Sequence, residues 1–546
     1  MEILVDKYGD SANFTVPMQN AIKDAKNGDT FVFSAKEYHF YKEDCLSRVI
    51  HMTNTDSFRF PGKRFGMLFE KLENIELKGN GAIIVIHGDI CSMAFLDCVN
   101  VRMGGFTVKY ASPNNIEMRI KSMTGHKVVF EFPASTQWET DGKCFTFYEQ
   151  SPFTKEYYWR YNNDENSDCG VCHNGDVVYR TSHKEGAFHL IKSIKKLSDT
   201  TAEVTYFIKR KFNEGDNLTI SSNHNRNTCG LFVNNCKNVS AENITVNYLS
   251  GFGWLSQICE NVSFENITFR ADSEHIVSSF ADSIHICSCK GDVKIHNCYF
   301  EHTHDDPINV HSSFLRFKEK KDDNTAVFEF VHRQQGGYRA FNTGDKVKFY
   351  YRNNLAEHDG VYTVANAVDD IENKTATVTF DEKLPADIDS IYKNQYNIVA
   401  ENATCNPNVE ISDCRFNAIP TRGILVTVGG KVRIHDNEFT NVAMANIFVS
   451  NDANDWYESG PVRDMEIYNN KFIVTPNNLP SYIDCSAILV EPITLGGKVT
   501  TPIHKNISVY SNYFDVTRDR VITAHGVENL KVGENTYKNI SEIKID

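Results

Sequence analysis

The sequence lacks long apolar runs and an excess of basic residues. No stretch approaches the roughly 20 consecutive apolar residues that a helix needs to cross a bilayer. Lysine and arginine together number 57 against 71 aspartates and glutamates, which gives a formal net charge of −14. We therefore expect no membrane span, and no partnership with nucleic acid or an anionic membrane surface, because both attract basic proteins.

A signal peptide is also missing from the printed sequence. The first six residues, MEILVD, carry neither the basic segment nor the apolar segment of such a peptide. A secreted protein whose signal peptide has been removed would begin in the same way. We expect a secreted or periplasmic protein and leave a cytoplasmic location open.

Hairpin signals are scarce as well, since few Asn-Gly or Asp-Gly pairs separate the apolar segments. What the sequence has instead is a repeat: residues 238–246 are echoed 23 residues later by residues 261–269. The pattern is an asparagine, alternating apolar positions, a second asparagine and an apolar pair. It recurs at residues 74–77, 292–297, 408–411, 431–437, 464–470, 506–509 and 529–532.

This pattern predicts short strands with one buried face, because apolar and polar residues alternate. A strand repeat of this length indicates a solenoid, in which each coil buries its apolar face against its neighbours. Asparagine at the turns tolerates a left-handed backbone, and its amide can pair with the next coil. We predict an all-β, right-handed parallel β-helix; a propeller or sandwich is less favoured because it needs antiparallel hairpins.

An amphipathic segment precedes the repeats. Residues 14–25 place Met18, Ile22 and Ala25 on one side of a helix. The terminal coils of a solenoid need a cover, so we predict that this helix caps the open end.

Two regions interrupt the repeat, near residues 120–228 and 315–400. Each holds a Phe-Asn-x-Gly-Asp run, at 212–216 and at 341–345. We interpret them as two related β modules inserted in loops of the solenoid, where insertions usually frame a binding face. The predicted domains are the cap and first coils at 1–119, module 1 at 120–228, central coils with the candidate acids at 229–314, module 2 at 315–400, and C-terminal coils at 401–546.

Fifteen cysteines are present, an odd number. Several lie within the repeat pattern, among them Cys287, Cys289, Cys298 and Cys414. No spacing matches a zinc site, because Cys287-Ser288-Cys289 lacks a second pair of ligands. We predict that most cysteines are small apolar residues stacked in the core.

Carboxylates cluster in two adjacent repeats. Asp282 is followed 23 residues later by Asp305, and Asp306 comes next. Equal spacing would stack Asp282 directly beside Asp305, about 4.8 Å apart, whereas Asp306 would point away unless the chain bends at Pro307. Paired acids are what glycoside hydrolysis requires, and like charges this close should leave one carboxyl protonated and one ionised.

Other interpretations of the polar residues stay open. The aspartates could be ordinary turn residues, which aspartate favours. His302, His304 and His311 could form a zinc site, although we favour hydrogen bonds from His304 and His311 to the aspartates or to sugar hydroxyls. Trp456 could stack on a sugar or fill the core, and Arg422 could bind a hydroxyl or hold a structural carboxylate.

Several segments are together similar to one enzyme family. They are residues 71–75, 80–81, 86–88, 251–261, 282–285, 304–311, Arg422-Gly423 and the long run NDANDWYESG at 451–460. This set spans most of the chain and resembles glycoside hydrolase family 110, exo-acting α-1,3-galactosidases that can remove the galactose of the blood-group-B antigen. Pro307 stands where that family usually has alanine, and Ser312-Ser313 replaces a glycine-containing turn, which leaves fine substrate preference open.

The resemblance implies small β-barrels for the two modules, an inverting hydrolysis, and no metal and no cofactor. The implied substrate is a galactose-terminated oligosaccharide or glycoconjugate, and a homodimer is left open. The catalytic group is Asp282, Asp305 and Asp306, without a decision on which is the acid and which is the base. The expected substrate-binding residues are His285, His304, Asn309, His311, Arg422, Asn454, Trp456 and Glu458.

Two rival functions are also considered. One is a β-helix polygalacturonase-like enzyme or polysaccharide lyase, but a polyuronate needs a basic groove and this chain is acidic; a calcium-dependent lyase would also need a carboxylate cage. The other is a non-catalytic carbohydrate-binding β-helix, since a fold does not fix a function. The sequence leaves open whether a fucosylated substrate is required or linear α-1,3-galactose is also cut.

Overall fold

The computed structural model describes residues 1–163, 170–175, 177–181, 184–221, 226–389, 391–392, 395–474, 486–497, 499, 501–516 and 520–538. Across these residues almost all regular structure is β-strand. Their helical elements are the α-helix Thr15–Asp24 and the 3-10 turns Val5–Tyr8, Ser11–Asn13 and Lys42–Asp44. No helix in the part of the chain just given is long and apolar enough to pass through a membrane.

The repeats form successive coils of a right-handed parallel β-helix, which confirms the predicted fold class. The echoed segments pair in parallel with the register expected from the sequence, so that Val239 lies beside Val262 and Ala241 beside Phe264. One long sheet collects 19 strands. They are Glu2–Leu4, Thr30–Val32, Glu37–Tyr41, Glu73–His87, Val99–Tyr110, Lys237–Val246, Glu260–Phe269, Lys290–His296, Tyr299–Glu301, Asn408–Ser412, Arg415–Ile419, Lys431–His435, Glu438–Val442, Asp464–Tyr468, Lys471–Val474, His504–Tyr510, Tyr513–Val516, Val527–Val532 and Thr536–Lys538.

A second parallel sheet follows another side of the coils. Its strands are Gly62–Glu70, Cys91–Leu96, Leu231–Asn234, Trp254–Gln257, Ile284–Cys287, Ile308–Lys320, Ile424–Thr427, Ile447–Val449, Ile488–Val490 and Ile522–Ala524. Two short strands join it in antiparallel fashion, Leu46–Val49 and Glu458–Ser459. The candidate acids directly precede strands of this second sheet.

Side-chain ladders stabilise the stack of coils. Aromatic rings in the core lie nearly parallel, with successive centroids 4.5–5.5 Å apart. This ladder consists of Phe269, Phe300, Phe416, Phe439, Phe472, Phe514 and Tyr537. The turn asparagines stack as predicted: Asn100 donates to Asn74 and Asn261 to Asn238, each at 2.8 Å, and all four have positive φ.

The predicted N-terminal cap is the helix Thr15–Asp24. Met18 and Ala21 are buried on its inner face, and Ile22 packs against the same core. The helix ends where Ala25 adopts an extended backbone. Its apolar face therefore covers the first coil, as the spacing of these residues indicated.

The cysteines behave as core residues. Of the 13 cysteines within the described residues, 11 are buried. Those at turns accept a backbone N–H from a neighbouring coil: the Sγ atoms of Cys236 and Cys289 lie 3.3 Å from the backbone nitrogens of Cys98 and Cys259. Cys169 and Cys485 lie outside the described residues.

The first interruption of the helix is an antiparallel module with its own core. Seven strands pair in the order Val177–Thr181, Gly170–Asn174, Asn217–Ser221, Asn115–Thr124, Lys127–Glu131, Thr201–Tyr206 and Ile191–Lys196. A three-stranded sheet accompanies them, formed by Gln137–Thr140, Phe145–Gln150 and Tyr157–Asn162. Trp138 of the small sheet and Phe130 of the large one share a single apolar core.

The second interruption is a closed antiparallel barrel. Around the ring the strands are Ile308–Lys320, Thr325–Glu329, Thr375–Phe380, Tyr362–Asp370, Lys346–Tyr351 and Ile398–Asn402, and the last pairs again with the first. A short hairpin pairs Ile391–Tyr392 with Gln395–Tyr396. Because Ile308–Lys320 also belongs to the second sheet, the barrel grows directly from the coil that carries Asp305. The domain boundaries given above stay predictions.

Candidate active site

A cavity of about 300 Å³ opens beside the second sheet. Three neighbouring strands begin next to it, Ile284–Cys287, Ile308–Lys320 and Ile424–Thr427. The cavity is lined by Asn54, Arg180, Ser221, Arg226, Phe252, Phe280, Asp282, His304, Asp305, Asp306, Arg333, Gln334, Arg422, Leu425, Trp456 and Glu458. Acidic and basic side chains therefore converge on one small space.

The candidate acids meet through a register that differs from the predicted one. Ile284 pairs with Ile308, an offset of 24 residues (308 minus 284), so this coil is one residue longer than the 23-residue repeat. Asp282 is therefore level with Asp306, and the expectation that it stacks directly beside Asp305 was wrong. The offset is also 24 where Ser279 pairs with Thr303, and residues 304–307 between these pairs are not regular strand, so Asp305 and Asp306 both line the cavity.

The three carboxylates lie close together: one oxygen from each lies within 4.8 Å of the others. Arg422 binds Asp306 through two hydrogen bonds, from Nε to Oδ1 at 3.0 Å and from Nη2 to Oδ2 at 2.6 Å. Burial raises the pKa of Asp306 to about 6, against the opposing charge of Arg422. Asp306 is thus an anion at neutral pH, held in place by a planar, two-pronged partner.

Asp305 is the most strongly ionised of the three. Arg180 Nη2 lies 3.0 Å from its Oδ1, and Arg226 Nη2 lies 2.8 Å from its Oδ2. Burial alone would raise the pKa of Asp305, but the charges of Arg180, Arg226 and Arg422 outweigh burial and lower it to about 2. Arg180 comes from module 1, so an inserted module contributes directly to the acid cluster.

Asp282 has polar rather than cationic hydrogen-bond neighbours. Its Oδ2 lies 2.8 Å from Nδ1 of His285 and 3.5 Å from Nδ2 of Asn309. Burial raises the pKa of Asp282 to about 7, and the negative charge of Asp305 acts in the same direction. Proton exchange near neutral pH is therefore accessible to Asp282 but not to Asp305.

Two buried histidines extend from Asp282 away from the cavity. His285 Nε2 lies 2.8 Å from His311 Nε2, and His311 Nδ1 lies 2.6 Å from the carbonyl oxygen of Ser312. Glu458 Oε1 lies 3.5 Å from His311 Nε2. Burial lowers the pKa of His285 to about 3 and raises the pKa of Glu458 to about 8, so both side chains are neutral at pH 7.

The far wall of the cavity is aromatic and is fixed by module 2. Trp456 packs on His332, with ring centroids 4.1 Å apart, and the guanidinium of Arg226 lies 5.9 Å from the Trp456 ring. Asp56 accepts a hydrogen bond from Gln334 Nε2 at 3.0 Å, which ties the barrel loop to the N-terminal coils. Trp456 thus has the partly exposed setting that a sugar-stacking ring needs.

Acid/base chemistry suits this arrangement better than metal chemistry. A cluster of three carboxylates could in principle bind a divalent cation. Here, however, arginine guanidiniums already occupy the oxygens of Asp305 and Asp306, and their positive charge opposes a cation. The carboxyl pKa values instead spread widely, which is the condition for separate proton donors and acceptors.

Comparison with known proteins identifies the family. A family profile described as GLAA-B beta-barrel domain II matches residues 325–390, within the closed barrel. The chain is 30% identical to the alpha-1,3-galactosidase A of Streptomyces avermitilis, over 98% of this chain and 87% of that protein. It is 29% identical to the alpha-1,3-galactosidase A of a Bacteroides fragilis strain, over 96% and 84%. This chain belongs to the α-1,3-galactosidase family, glycoside hydrolase family 110.

One solved structure has a chain trace that can be superposed on this one but shares little sequence with it. The polygalacturonase of Erwinia carotovora ssp. carotovora covers 100% of this chain with 96% of its own, at 9% identity and a TM-score of 0.39. At these values the likeness carries no argument about the activity of this family member.

Most of the predicted site residues of this family member line the cavity. They are Asp282, Asp305, Asp306, His304, Arg422, Trp456 and Glu458. Of the two alternatives for Arg422, the structure shows that it holds a carboxylate, that of Asp306. His304 Nδ1 lies 2.9 Å from Ser221 Oγ of module 1. The catalytic and binding roles of all these residues stay predictions.

Four predicted substrate-binding residues do not line the cavity. His285, Asn309 and His311 are buried behind Asp282. Asn454 is exposed on the turn next to Trp456, where its backbone N–H binds Asp452. His285 and Asn309 contact Asp282, and His311 contacts His285. The binding roles of these four residues also stay predictions.

Sequence reasoning missed Arg180, Arg226, Arg333 and Gln334, all of which line the cavity. Each lies within the predicted bounds of module 1 or of module 2. No local motif marks them, because their role depends on which distant residues the modules bring together. Their clustering in the two interruptions of the repeat was the available signal, since insertions frame binding faces.

Proposed function

We propose that the protein is an exo-acting α-1,3-galactosidase that hydrolyses terminal α-1,3-linked galactose from glycans. The observation that carries the proposal is the cluster of Asp282, Asp305 and Asp306 in one cavity, in a chain that belongs to this family. A cavity of about 300 Å³ holds one sugar ring rather than a polysaccharide chain, which supports exo action. A carbohydrate substrate is what the family members' names have in common.

We further propose inversion at the anomeric carbon. An inverting pair of carboxyls normally lies about 6.5–9.5 Å apart, with room for a water molecule, whereas a retaining pair lies about 5–5.5 Å apart. One oxygen from each of the three aspartates lies within 4.8 Å of the others, which is closer than an inverting pair normally stands, so the proposal of inversion rests on the resemblance to the family. The first anomer released is therefore the measurement that decides between the two stereochemical courses.

The blood-group-B antigen is the proposed natural class of substrate, with linear α-1,3-galactose as the second substrate to test. Arg333 and Gln334 of module 2 stand at the cavity wall, where a sugar next to the terminal galactose would lie. Pro307 and Ser312-Ser313, the departures from the family pattern, flank the catalytic coil. Secretion or a periplasmic location, and a homodimer, stay predictions.

The test is proton NMR of the purified protein with blood-group-B trisaccharide. We expect β-galactose to appear first and the Asp305→Asn variant to release none. Asp199→Asn, whose parent side chain is 97% exposed, controls for handling and charge and should match the unmodified protein. α-Galactose as the first product would overturn inversion, and no release from either the trisaccharide or the linear disaccharide would overturn the galactosidase proposal.

An acidic terminal sugar is the second candidate substrate. Arg180, Arg226, Arg333 and Arg422 all line the cavity, and guanidinium groups bind carboxylates well. Each already pairs with an aspartate of the protein, which argues for a neutral sugar. A uronide-terminated oligosaccharide belongs in the same NMR assay, and its cleavage with galactosides untouched would favour the polygalacturonase-like alternative.

A further inference from the structure

Behind the cavity, Asp282, His285 and His311 form a chain of short contacts that the proposed reaction leaves unexplained. Asp282 Oδ2 lies 2.8 Å from His285 Nδ1, and His285 Nε2 lies 2.8 Å from His311 Nε2. The chain ends at the carbonyl oxygen of Ser312, 2.6 Å from His311 Nδ1. Both imidazoles are 0% exposed, so solvent does not complete these contacts.

A proton count along this chain fixes its protonation state. Each of the three contacts needs one proton between its heavy atoms. An ionised Asp282 with neutral His285 and His311 carries only two protons, which would leave one contact with two facing lone pairs. Three protons satisfy every contact and make the chain electrically neutral, which is also the less costly state for a buried group.

The Ser312 carbonyl decides where these protons lie. A carbonyl oxygen can only accept, so His311 carries its proton on Nδ1 and, when neutral, accepts at Nε2. His285 must then donate from Nε2 and accept at Nδ1. Burial lowers the pKa of His285 and of His311, so neither ring takes a second proton at neutral pH. The remaining donor in the chain is the carboxyl group of Asp282.

We propose that His285 and His311 are positioning residues which, anchored by the Ser312 carbonyl, lock Asp282 in its protonated form in the free enzyme. The proposal rests on the proposed function, because Asp282 is one of its three catalytic carboxyls. Asp305 and Asp306 are held as anions by arginines, so Asp282 is the member of the cluster that enters the reaction with a proton. The histidines thereby set the pH at which Asp282 changes its protonation.

Charged groups on other elements also face this unit. They are Arg226, Asp305, Asp306, Arg422 and Glu458. Asp305 favours the protonated form of Asp282, while Arg226 and Arg422 oppose it. Glu458 is itself protonated below about pH 8, so it does not draw a second proton onto His311 at neutral pH.

Neutron diffraction from crystals of the deuterated full chain, below pD 7, tests the assignment directly and needs no activity. We expect nuclear density for deuterium on His311 Nδ1, His285 Nε2 and Asp282 Oδ2. Deuterium on His285 Nδ1 beside a bare Asp282 carboxylate would overturn the proposal. The experiment separates the two proposals, because the protonation state is read even if no galactoside is cleaved.

Two variants of His311 test the functional consequence in the pH profile of kcat/KM. His311→Met removes the acceptor that faces His285, so His285 can turn its proton toward Asp282 and favour the carboxylate. We expect the limb of this pH profile that reflects the titration of Asp282 to move to lower pH by about one unit. His311→Gln keeps an acceptor oxygen near the former Nε2 and should leave that limb close to its original position.

The two variants also separate a positioning role from a merely structural one. A structural role predicts that both substitutions lower kcat without moving either limb, and that result would overturn the proposal. Equal movement of the limb in both variants would contradict the role of the acceptor atom. If the unmodified enzyme releases no galactose at any pH, the proposed function fails while the neutron result still judges the protonation state.

Discussion

Asp282, Asp305 and Asp306 share one cavity and one functional group, yet their pKa values lie at about 7, 2 and 6. Burial acts in the same direction on all three, so the difference comes from their neighbours. Asp305 has two arginine partners, Asp306 has one, and Asp282 has a neutral histidine. Position along the coil thus assigns different protonation states to identical side chains, as acid/base catalysis requires.

Arg180 offers a test of this assignment at the residue scale. Arg180→Met removes one of the two guanidiniums that hold Asp305 ionised, so the pKa of Asp305 should rise. Since this pKa starts at about 2, a rise of about one unit leaves Asp305 ionised at neutral pH, well below the pKa of about 6 of Asp306. Carbon-13 NMR titration of the Asp305 carboxyl group measures the shift.

The matched control is Arg160→Met, an exposed arginine of the same module. We expect the Asp305 titration in this variant to coincide with that of the unmodified enzyme. An Asp305 titration that does not move in Arg180→Met would contradict a role for Arg180 in ionising Asp305.

How far the site can be predicted from the sequence depends on where each residue comes from. The carboxylates were recognisable because they recur near the repeat length and sit in family-like segments. Arg180 and Arg226 were not, because they reach Asp305 from positions 125 and 79 residues away (305 minus 180 and 305 minus 226). Only the folded modules bring these charges together, and no local pattern encodes such a distance.

At the scale of the coil, the same turn position in successive coils accepts a backbone N–H from a neighbouring coil, although the accepting side chain changes. Cys414 Sγ accepts the backbone N–H of Cys298 at 3.4 Å, and Asn437 Oδ1 accepts that of Cys414 at 2.9 Å. Asn470 then accepts from Asn437 at 3.0 Å. The cysteine ladder therefore passes into an asparagine ladder, since thiol and amide can both satisfy the buried N–H of the next coil.

This ladder predicts how substitutions at Asn470 rank by their loss in the free energy of unfolding. Asn470→Ala leaves the buried backbone N–H of Asn437 without an acceptor and should lower the free energy of unfolding by about 1–3 kcal/mol. Asn470→Cys restores a sulfur acceptor, as used by Cys414, and should lose less. Thermal unfolding midpoints measure the order, with Lys471→Ala, an exposed neighbour, as the control. Equal losses for Ala and Cys would contradict the ladder.

The sequence revealed the coils but not where their length changes. The 23-residue register holds for Val239 and Val262, where the repeat is visible in the letters. It fails between Ile284 and Ile308, where the offset is 24. Apolar strand residues tolerate either spacing, so the pattern alone does not place the extra residue. Asp305 and Asp306 lie in the irregular segment between Thr303 and Ile308 of this longer coil, so the local exception to the repeat coincides with the site.

At the scale of the whole molecule, the cavity exists only because three parts meet. The β-helix supplies the three aspartates, module 1 supplies Arg180, and the barrel of module 2 supplies Arg333 and Gln334. Module 1 also docks on the N-terminal coils through Glu149, whose Oε2 accepts the backbone N–H of Gly88 at 2.9 Å. Docking and catalysis are thus coupled, because a displaced module 1 would withdraw Arg180 from Asp305.

Glu149 makes this docking dependent on pH. Burial raises its pKa to about 8, well above the value of about 4.3 in an unfolded chain. Between these values the folded protein holds a proton that the unfolded chain has lost, so its stability falls as pH rises, by up to roughly 1.4 kcal/mol per unit. Glu149→Gln keeps the acceptor for Gly88 but cannot ionise. We expect its unfolding midpoint to exceed that of the unmodified protein increasingly from pH 5 to pH 8, with activity retained; parallel curves would show that the Glu149 carboxyl is not protonated at this junction.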